Sequence, residues 1–315
     1  MIKVAVIGLG RIGWEFEKDP LRGKPHSHIG AYLACPKTEL VAVADTNKSK
    51  LEAFNQEHPE ISTYTDYEAM LNREKPDIIS ICTPTETHCR IARNCARFAS
   101  TKVLWVEKPL ASTVEESEKM IQTCNNFGTK LACNLIRRWD PAYRMVKNFV
   151  SGWTIKALCD KGMQAAKSVP MIEWGIGDVI AFAGRFSGGR AMAGTHMADL
   201  ALWLSGKNTK ISLLNVPTPY FLFEMDIIGL DGWIKIRNNG RDIQLWKPME
   251  SQYYAGFKEL EHVATLDIKY DFSRAMLNAV EDLVECAQSE KQPECDGRRG
   301  LEALKLCHEV FKDGN

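Results

Sequence analysis

Glycines at positions 8, 10 and 13 in GLGRIG directly follow an apolar run, IKVAVIG (2–8). This spacing suits a strand that turns sharply into a helix around a pyrophosphate. Gly8 permits the tight turn, Gly10 lets the backbone approach the phosphates, Gly13 allows close helix–strand packing, and Arg11 and Ile12 complete the loop. Free amides at the helix N-terminus then face the phosphates. A second apolar run, ELVAVAD (39–45), ends on Asp45. A carboxylate there accepts both ribose hydroxyls and repels a 2′-phosphate, so the combination points to NAD. The plain alternative is a structural turn and a helix-capping aspartate. Asp45 lies 32 residues beyond Gly13 (45 − 13), whereas such motifs place the acid roughly 20 residues on. The excess maps to EFEKDPLRGKPHSH (15–28), a polar stretch carrying Pro20, Gly23 and Pro25. It is expected to form a loop after a shortened first helix, at the carboxyl end of the sheet.

A different chemistry sits in VLWVEKPLAS (103–112), where a buried-looking strand ends on Glu107, Lys108 and Pro109. Proline restricts the Lys108 backbone to extended conformations and admits a cis peptide at modest cost; together these fix the direction of the side chain. An ammonium beside a nicotinamide hydrogen-bonds a substrate hydroxyl and stabilises its alkoxide as hydride leaves carbon. Partial burial lowers the amine's pKa towards a useful acid–base range. The alternative is a surface Glu–Lys pair at a strand end. Further along, GTHMADLALWL (194–204) carries His196. An imidazole titrates close to working pH and suits taking a hydroxyl proton. Asp199, three residues on, lies about one turn away on the same face, where it either orients the ring or favours a helix N-terminus.

The elements that must position these groups alternate through the first half. Apolar strand-length runs at 2–8, 39–45, 77–83, 102–107 and 130–134 are separated by helix-like segments at 48–57, 66–73, 86–99 and 113–127. Strands apolar throughout are covered on both faces, as in a parallel sheet with crossover helices, so the fold class is α/β with a doubly wound N-terminal domain. A helix from about Pro141 to Val150 leads out of it. The second half reads as α+β: the helix at 194–204, strand-like ISLLNV, YFLFEMDIIG, GWIKIR and DIQLW, and two closing helices. LDGW (230–233) and NNGRD (238–242) punctuate those strands as antiparallel turns. The expected domains are 1–135 for the dinucleotide and 136–315 for substrate and oligomerisation, with the final helices able to return to the first domain.

With GLGRIG, CTPTETH (82–88), EKP (107–109) and GTHMADLALWL in this order, the chain resembles the glucose–fructose oxidoreductase/inositol dehydrogenase (Gfo/Idh/MocA) family. The likeness runs nearly end to end, through the closing DGRRGLEALKLCHEVF. It implies a Rossmann domain, a C-terminal α/β domain with a large mostly antiparallel sheet, NAD(P), and oxidation or reduction of a sugar or polyol carbon. It also implies a catalytic Lys108, with Thr83, Pro84, His88 and Glu107 around the cofactor. His196 becomes a proton acceptor or substrate ligand, beside Asp199. In NLIRRWDPAY (134–143), Arg138 and Tyr143 become candidates for the substrate pocket, and Arg137 a solvated neighbour. Trp139 and Trp174 could stack on a sugar face or belong to the core. Many relatives place an aspartate four residues before the histidine; here that position is Met192. Either His196 moves the proton alone, or another acid such as Asp178 or Glu173 substitutes, or the standard reaction has lapsed. The apolar YFLFEMDII, with the resemblance, implies a homodimer or homotetramer through the C-terminal sheet.

Composition narrows the classes. Forty basic residues balance forty acidic ones, so no net field favours nucleic acid or an anionic membrane. No apolar run approaches the roughly 20 residues a bilayer requires. The ten cysteines form no CxxC pair, which argues against a zinc site and against a disulfide framework; reduced thiols and a strand-like N-terminus lead to an expectation of the cytoplasm. Two rivals stand beside an NAD-dependent sugar or polyol dehydrogenase: a dinucleotide-binding regulator without turnover, and an enzyme of the same scaffold acting on a non-sugar diol or carbonyl.

Overall fold

The computed structural model describes residues 1–152, 174–189, 193–206, 208–266 and 268–311. The chain forms two units, Met1–Trp139 with Phe272–Lys305, and Asp140–Asp271 with Leu306–Asn315.

The first unit is built on six parallel strands: β1 (Ile2–Ile7), β2 (Thr38–Ala44), β3 (Ser62–Tyr64), β4 (Ile78–Ile81), β5 (Val103–Val106) and β6 (Lys130–Cys133). Their spatial order is β3-β2-β1-β4-β5-β6. Val4, Val6, Ile79, Leu104 and Trp105 have no exposed surface, which is why these strands read as unbroken apolar runs. The crossovers are helices α1 (His28–Ala34), α2 (Lys48–Glu57), α3 (Tyr67–Glu74), α4 (Thr85–Cys95) and α5 (Val114–Asn126). Side-chain caps fix where several begin: Asn47 accepts from the amides of Ser49 and Lys50, Asp66 from Glu68, and Thr113 from Glu116. Because β1 pairs with β2 on one side and β4 on the other, the strand order reverses there. A crevice opens at the carboxyl ends, where doubly wound sheets bind ligands.

Two features differ from the sequence expectation. The short strand β3 was not foreseen, because STY is polar and only half-buried. The polar stretch 15–28 does not follow a shortened helix. It precedes α1, which begins only at His28, and Glu15–Lys18 forms a single 3-10 turn. The Glu17 carboxylate fastens this stretch by accepting from the His26 amide and the Ser27 hydroxyl. The His26 ring stacks on Phe272, the first residue of a later helix of the same unit, with centroids 3.9 Å apart.

In the second unit, strands β7 (Val179–Phe186), β8 (Lys210–Asn215), β9 (Phe223–Gly229), β10 (Trp233–Arg237), β11 (Asp242–Glu250) and β12 (Lys258–Leu266) lie in the order β12-β11-β10-β9-β7-β8. Every pairing is antiparallel except β7 with β8. One face buries Phe182, Phe186, Phe223, Met225 and Ile227 in a core shared with helices α6 (Pro141–Val150) and α7 (Thr195–Leu204). Strand β12 carries no apolar run that announces it, since KELEHVATL is an edge strand studded with charge; in β7 the apolar start VIAFA (179–183) gives way to Gly184 and Arg185.

Helix α8 (Phe272–Gln288) returns to the first unit, where Ala275, Met276, Ala279, Val280 and Leu283 join its core. The last helix, α9, spans Gly297–Val310. Among the described residues no helix is long and apolar enough to cross a membrane.

Candidate functional site

The glycine turn after β1 is tightly constrained. Gly8 has φ +102°, and a β-carbon on it would lie 2.8 Å from the Cys82 carbonyl. A β-carbon on Gly13 would overlap the Gly8 carbonyl oxygen, whereas the space above Gly10 is open. The turn is therefore closed on its inner side and bare on its outer side, as close approach of a pyrophosphate requires. The amides that face it differ from those expected. At the start of α1, His28 N–H donates to the Ile12 carbonyl and Ile29 N–H to the Gly13 carbonyl, so this helix offers no free amides to phosphates. Among the described residues, the amides of Gly10, Arg11, Ile12 and Gly13 have no partner within the chain. Successive unpartnered amides of this kind are the groups that suit an anion.

Around this turn lies a cleft of about 550 Å³. Gly8 and Gly10 line it from β1, Asp45 and Thr46 from the end of β2, and Thr83 and Pro84 from the end of β4. Tyr67 and Arg90 close its far side. One Asp45 oxygen accepts from the Leu9 amide at 2.7 Å and the other from Asn47 at 2.8 Å. Each keeps a second lone pair for a ribose hydroxyl. Lys50, also in the lining, is paired with Glu15 at 2.7 Å. The residues present thus fit a dinucleotide. Among the described residues no group of three or more His, Cys, Asp and Glu side chains is arranged to hold a metal.

His88 and Glu107 do not line this cleft, contrary to the sequence expectation. His88 is buried beneath it, with one ring nitrogen 2.8 Å from the Thr83 carbonyl and the other 3.1 Å from the Pro109 carbonyl. It braces the Thr83–Pro84 wall against the turn that follows β5. In that turn the Lys108–Pro109 peptide is cis, and Lys108 is half-buried. Burial lowers the pKa of the Lys108 amine below the ordinary lysine range; the nearby Arg137 guanidinium adds to the shift, and Glu107 opposes it.

Glu107 itself is buried within a polar chain that sequence reasoning missed. Its Oε1 lies 2.9 Å from His28 Nε2 and accepts from the Asn134 amide at 2.5 Å; its Oε2 accepts from the Lys108 backbone amide. His28 Nδ1 lies 2.9 Å from the Ser80 hydroxyl, which is 2.8 Å from the Tyr32 hydroxyl. Burial alone would raise the pKa of Glu107. The hydrogen bond and electrostatic pull of His28, the Asn134 amide and the Lys108 charge outweigh it and hold the carboxyl below its ordinary range. The signal for this chain was faint: His28 closes a stretch that reads as loop, and Asn134 trails a strand.

The remaining candidates separate. Arg137 and Arg138 sit in a 3-10 turn after β6, 7% and 4% exposed. Arg137 is not a solvated neighbour, since its charge reaches Lys108. Tyr143 has no exposed surface and packs edge-on against Tyr270 within the second unit; it is a core residue, because a ring sealed on all sides offers a substrate nothing to touch. Trp139 and Trp174 are likewise core, donating to Asp282 and to the Asp231 carbonyl respectively. His196 is half-buried and Asp199 buried, both on α7 of the second unit. Asp178 is exposed in the loop before β7, and Glu173 and Met192 lie outside the described residues.

Residues 2–135 match the model of the GFO_IDH_MocA oxidoreductase family, NAD-binding Rossmann fold. That segment belongs to the Gfo/Idh/MocA family. Among relatives, the D-glucoside 3-dehydrogenase of Escherichia coli K12 is 26% identical over 208 residues, covering 65% of this chain and 54% of its own. The inositol 2-dehydrogenase of Paracoccus denitrificans Pd 1222 is 30% identical over 152 residues, covering 48% and 41%. The chain thus spans about half the length of the curated relatives it matches. A solved structure of UDP-N-acetylglucosamine 3-dehydrogenase from Acidithiobacillus ferrooxidans aligns over 98% of this chain and 96% of that one, with TM-score 0.70 at 18% identity. At that identity the likeness speaks for the fold alone.

Replacing Gly13 with alanine should force the Gly8 carbonyl aside. We expect a loss of about 1–3 kcal/mol in urea unfolding and at least tenfold weaker NADH binding by fluorescence titration. A variant that binds NADH like the wild type would remove the turn from the cofactor site.

Proposed function

We propose that the chain is an NAD-dependent oxidoreductase that moves a hydride between nicotinamide and a carbon of a sugar, sugar derivative or cyclic polyol. The observation that carries this reading is the half-buried Lys108 at the end of β5, one strand from the Thr83–Pro84 wall of the cleft and tied to it through His88. The names of the glucoside and inositol dehydrogenases support a carbohydrate-like substrate.

Gly8, Gly10, Gly13 and the free amides of the turn hold the pyrophosphate, and Asp45 holds the ribose. Bound NAD supplies the hydride acceptor. Lys108 donates a hydrogen bond to the substrate oxygen and stabilises the alkoxide that develops there. Arg138 and Asp199 remain candidates for orienting the substrate. The Lys108 amine must be an ammonium to do this work, and burial lowers its pKa. Turnover should therefore fail on the alkaline side earlier than for an ordinary lysine.

The second unit is proposed to pair with another copy through the sheet face opposite its core. That face presents Arg185 and Arg237 on either side of Asp226, and Lys235 over the rings of Trp233 and Trp246. Aromatic and arginine side chains are the ones that interfaces favour.

Lys108→Met should abolish turnover, measured as NADH formation across a panel of sugars and polyols, and leave NADH affinity within about twofold, since uniform cofactor binding does not require the amine. Undiminished activity ends the assignment. Titration should find NADH bound more tightly than NADPH; equal affinities would mean that Asp45 does not read the ribose. Light scattering should find a dimer or tetramer that Trp246→Glu converts towards monomer, and a monomeric wild type would refute the pairing.

A further inference from the structure

We propose that His28 is a positioning residue: it holds Glu107 as an anion beside Lys108 and so keeps the Lys108 amine protonated at working pH. Nothing in the reaction described above uses His28, yet its placement is over-determined. Its backbone amide is fixed by the Ile12 carbonyl, Ser27 caps the helix it opens, and its ring lies against Trp105 with centroids 3.8 Å apart. The side chain has no exposed surface.

The contacts run unbroken from end to end. The Tyr32 hydroxyl, whose pKa burial raises far above the ordinary range, lies 2.8 Å from the Ser80 hydroxyl. Ser80 lies 2.9 Å from His28 Nδ1, and His28 Nε2 lies 2.9 Å from Glu107 Oε1, where a protonated nitrogen donates to the carboxylate. A buried carboxylate stays ionised only if donors replace its lost water. Here His28 and Asn134 supply them to one oxygen, and the Lys108 amide supplies one to the other. Glu107 faces His28 from α1, Cys82 after β4, Asn134 after β6, and Lys108 itself. Lys108 faces Glu107, the Arg137 cation and Cys133. Of these, Arg137 and burial both disfavour the ammonium, so the Glu107 charge is the main opposing influence. Taking away the donor that keeps Glu107 ionised lets the carboxyl pick up a proton, and Lys108 then loses its own more readily.

The inference rests on the dehydrogenase reading for its meaning but not for its test, which reads Lys108 directly in the full chain without cofactor. Competitive acetylation with acetic anhydride across pH, followed by mass spectrometry of the Lys108 peptide, yields the pH at which that amine is half-deprotonated. Asn at position 28 can keep the Ser80 contact but cannot reach Glu107; Gln can reach Glu107. We expect His28→Asn to lower the Lys108 midpoint by roughly one pH unit and His28→Gln to retain the wild-type value. Glu107→Gln, which removes the charge while keeping one acceptor oxygen and the volume, should reproduce the Asn result. A purely structural histidine would make the two His28 variants alike. The proposal is overturned if His28→Asn titrates like the wild type, or if Gln behaves like Asn. Should neither His28 variant fold, an unchanged midpoint in Glu107→Gln overturns it equally. A midpoint that shifts as expected in a protein without dehydrogenase turnover would sink the functional reading and leave this one standing; flat midpoints in an active enzyme would do the reverse.

Discussion

The contact on which the rest of this structure depends is the approach of Gly13 to the Gly8 carbonyl. With no side chain between them, the backbone after β1 folds back on itself. The carbonyls of Ile12 and Gly13 can then receive the first amides of α1. That one closure has two results. On its outer side it leaves a bare run of amides above the open space at Gly10. On its inner side it fixes the first residue of α1, and that residue is His28. The bare amides and the buried neighbour of Glu107 are thus opposite faces of one turn.

The Glu107–Lys108 pair illustrates how the low dielectric of a sheet edge is used. A lysine withdrawn from water tends to lose its proton, and a glutamate withdrawn from water tends to gain one. Placed adjacent, with the carboxylate further supplied by a histidine and an asparagine, each favours the other's charge. Arg137 pulls the other way on Lys108.

How much of this was legible depended on whether a feature writes itself locally. The parallel sheet was, since strands covered on both faces are continuous runs such as KVAVI and VLWV. The glycine spacing and Asp45 were, and the structure brings Gly8, Gly10, Asp45, Thr83 and Pro84 to one cleft. The position of α1 was not, because a helix displaced by a fastened polar stretch leaves no periodic trace until His28. Strands β7 and β12 are also not announced along their length: the apolar start of one is cut short by Gly184 and Arg185, the other is charged, and pairing defines both. The fate of the large aromatics was equally hidden. Trp139 and Trp174 look like sugar-stacking surfaces in a string of letters and Tyr143 like part of a substrate pocket, and only burial reveals them as filling. The link from His28 to Glu107 joins residues 79 apart in sequence, and no local pattern encodes it.

The first unit draws its core from two distant parts of the chain, since α8 supplies Met276, Val280 and Leu283 after residues 140–271 of the second unit have intervened. During synthesis, the early strands and crossover helices emerge long before that helix does. Until it arrives, the surface it covers stays open to water or to a chaperone. Cutting the chain at residue 139 would therefore yield not an autonomous nucleotide-binding module but a fragment with an apolar flank exposed, prone to self-association. Any dissection of this protein into parts has to carry its later helix along with its beginning.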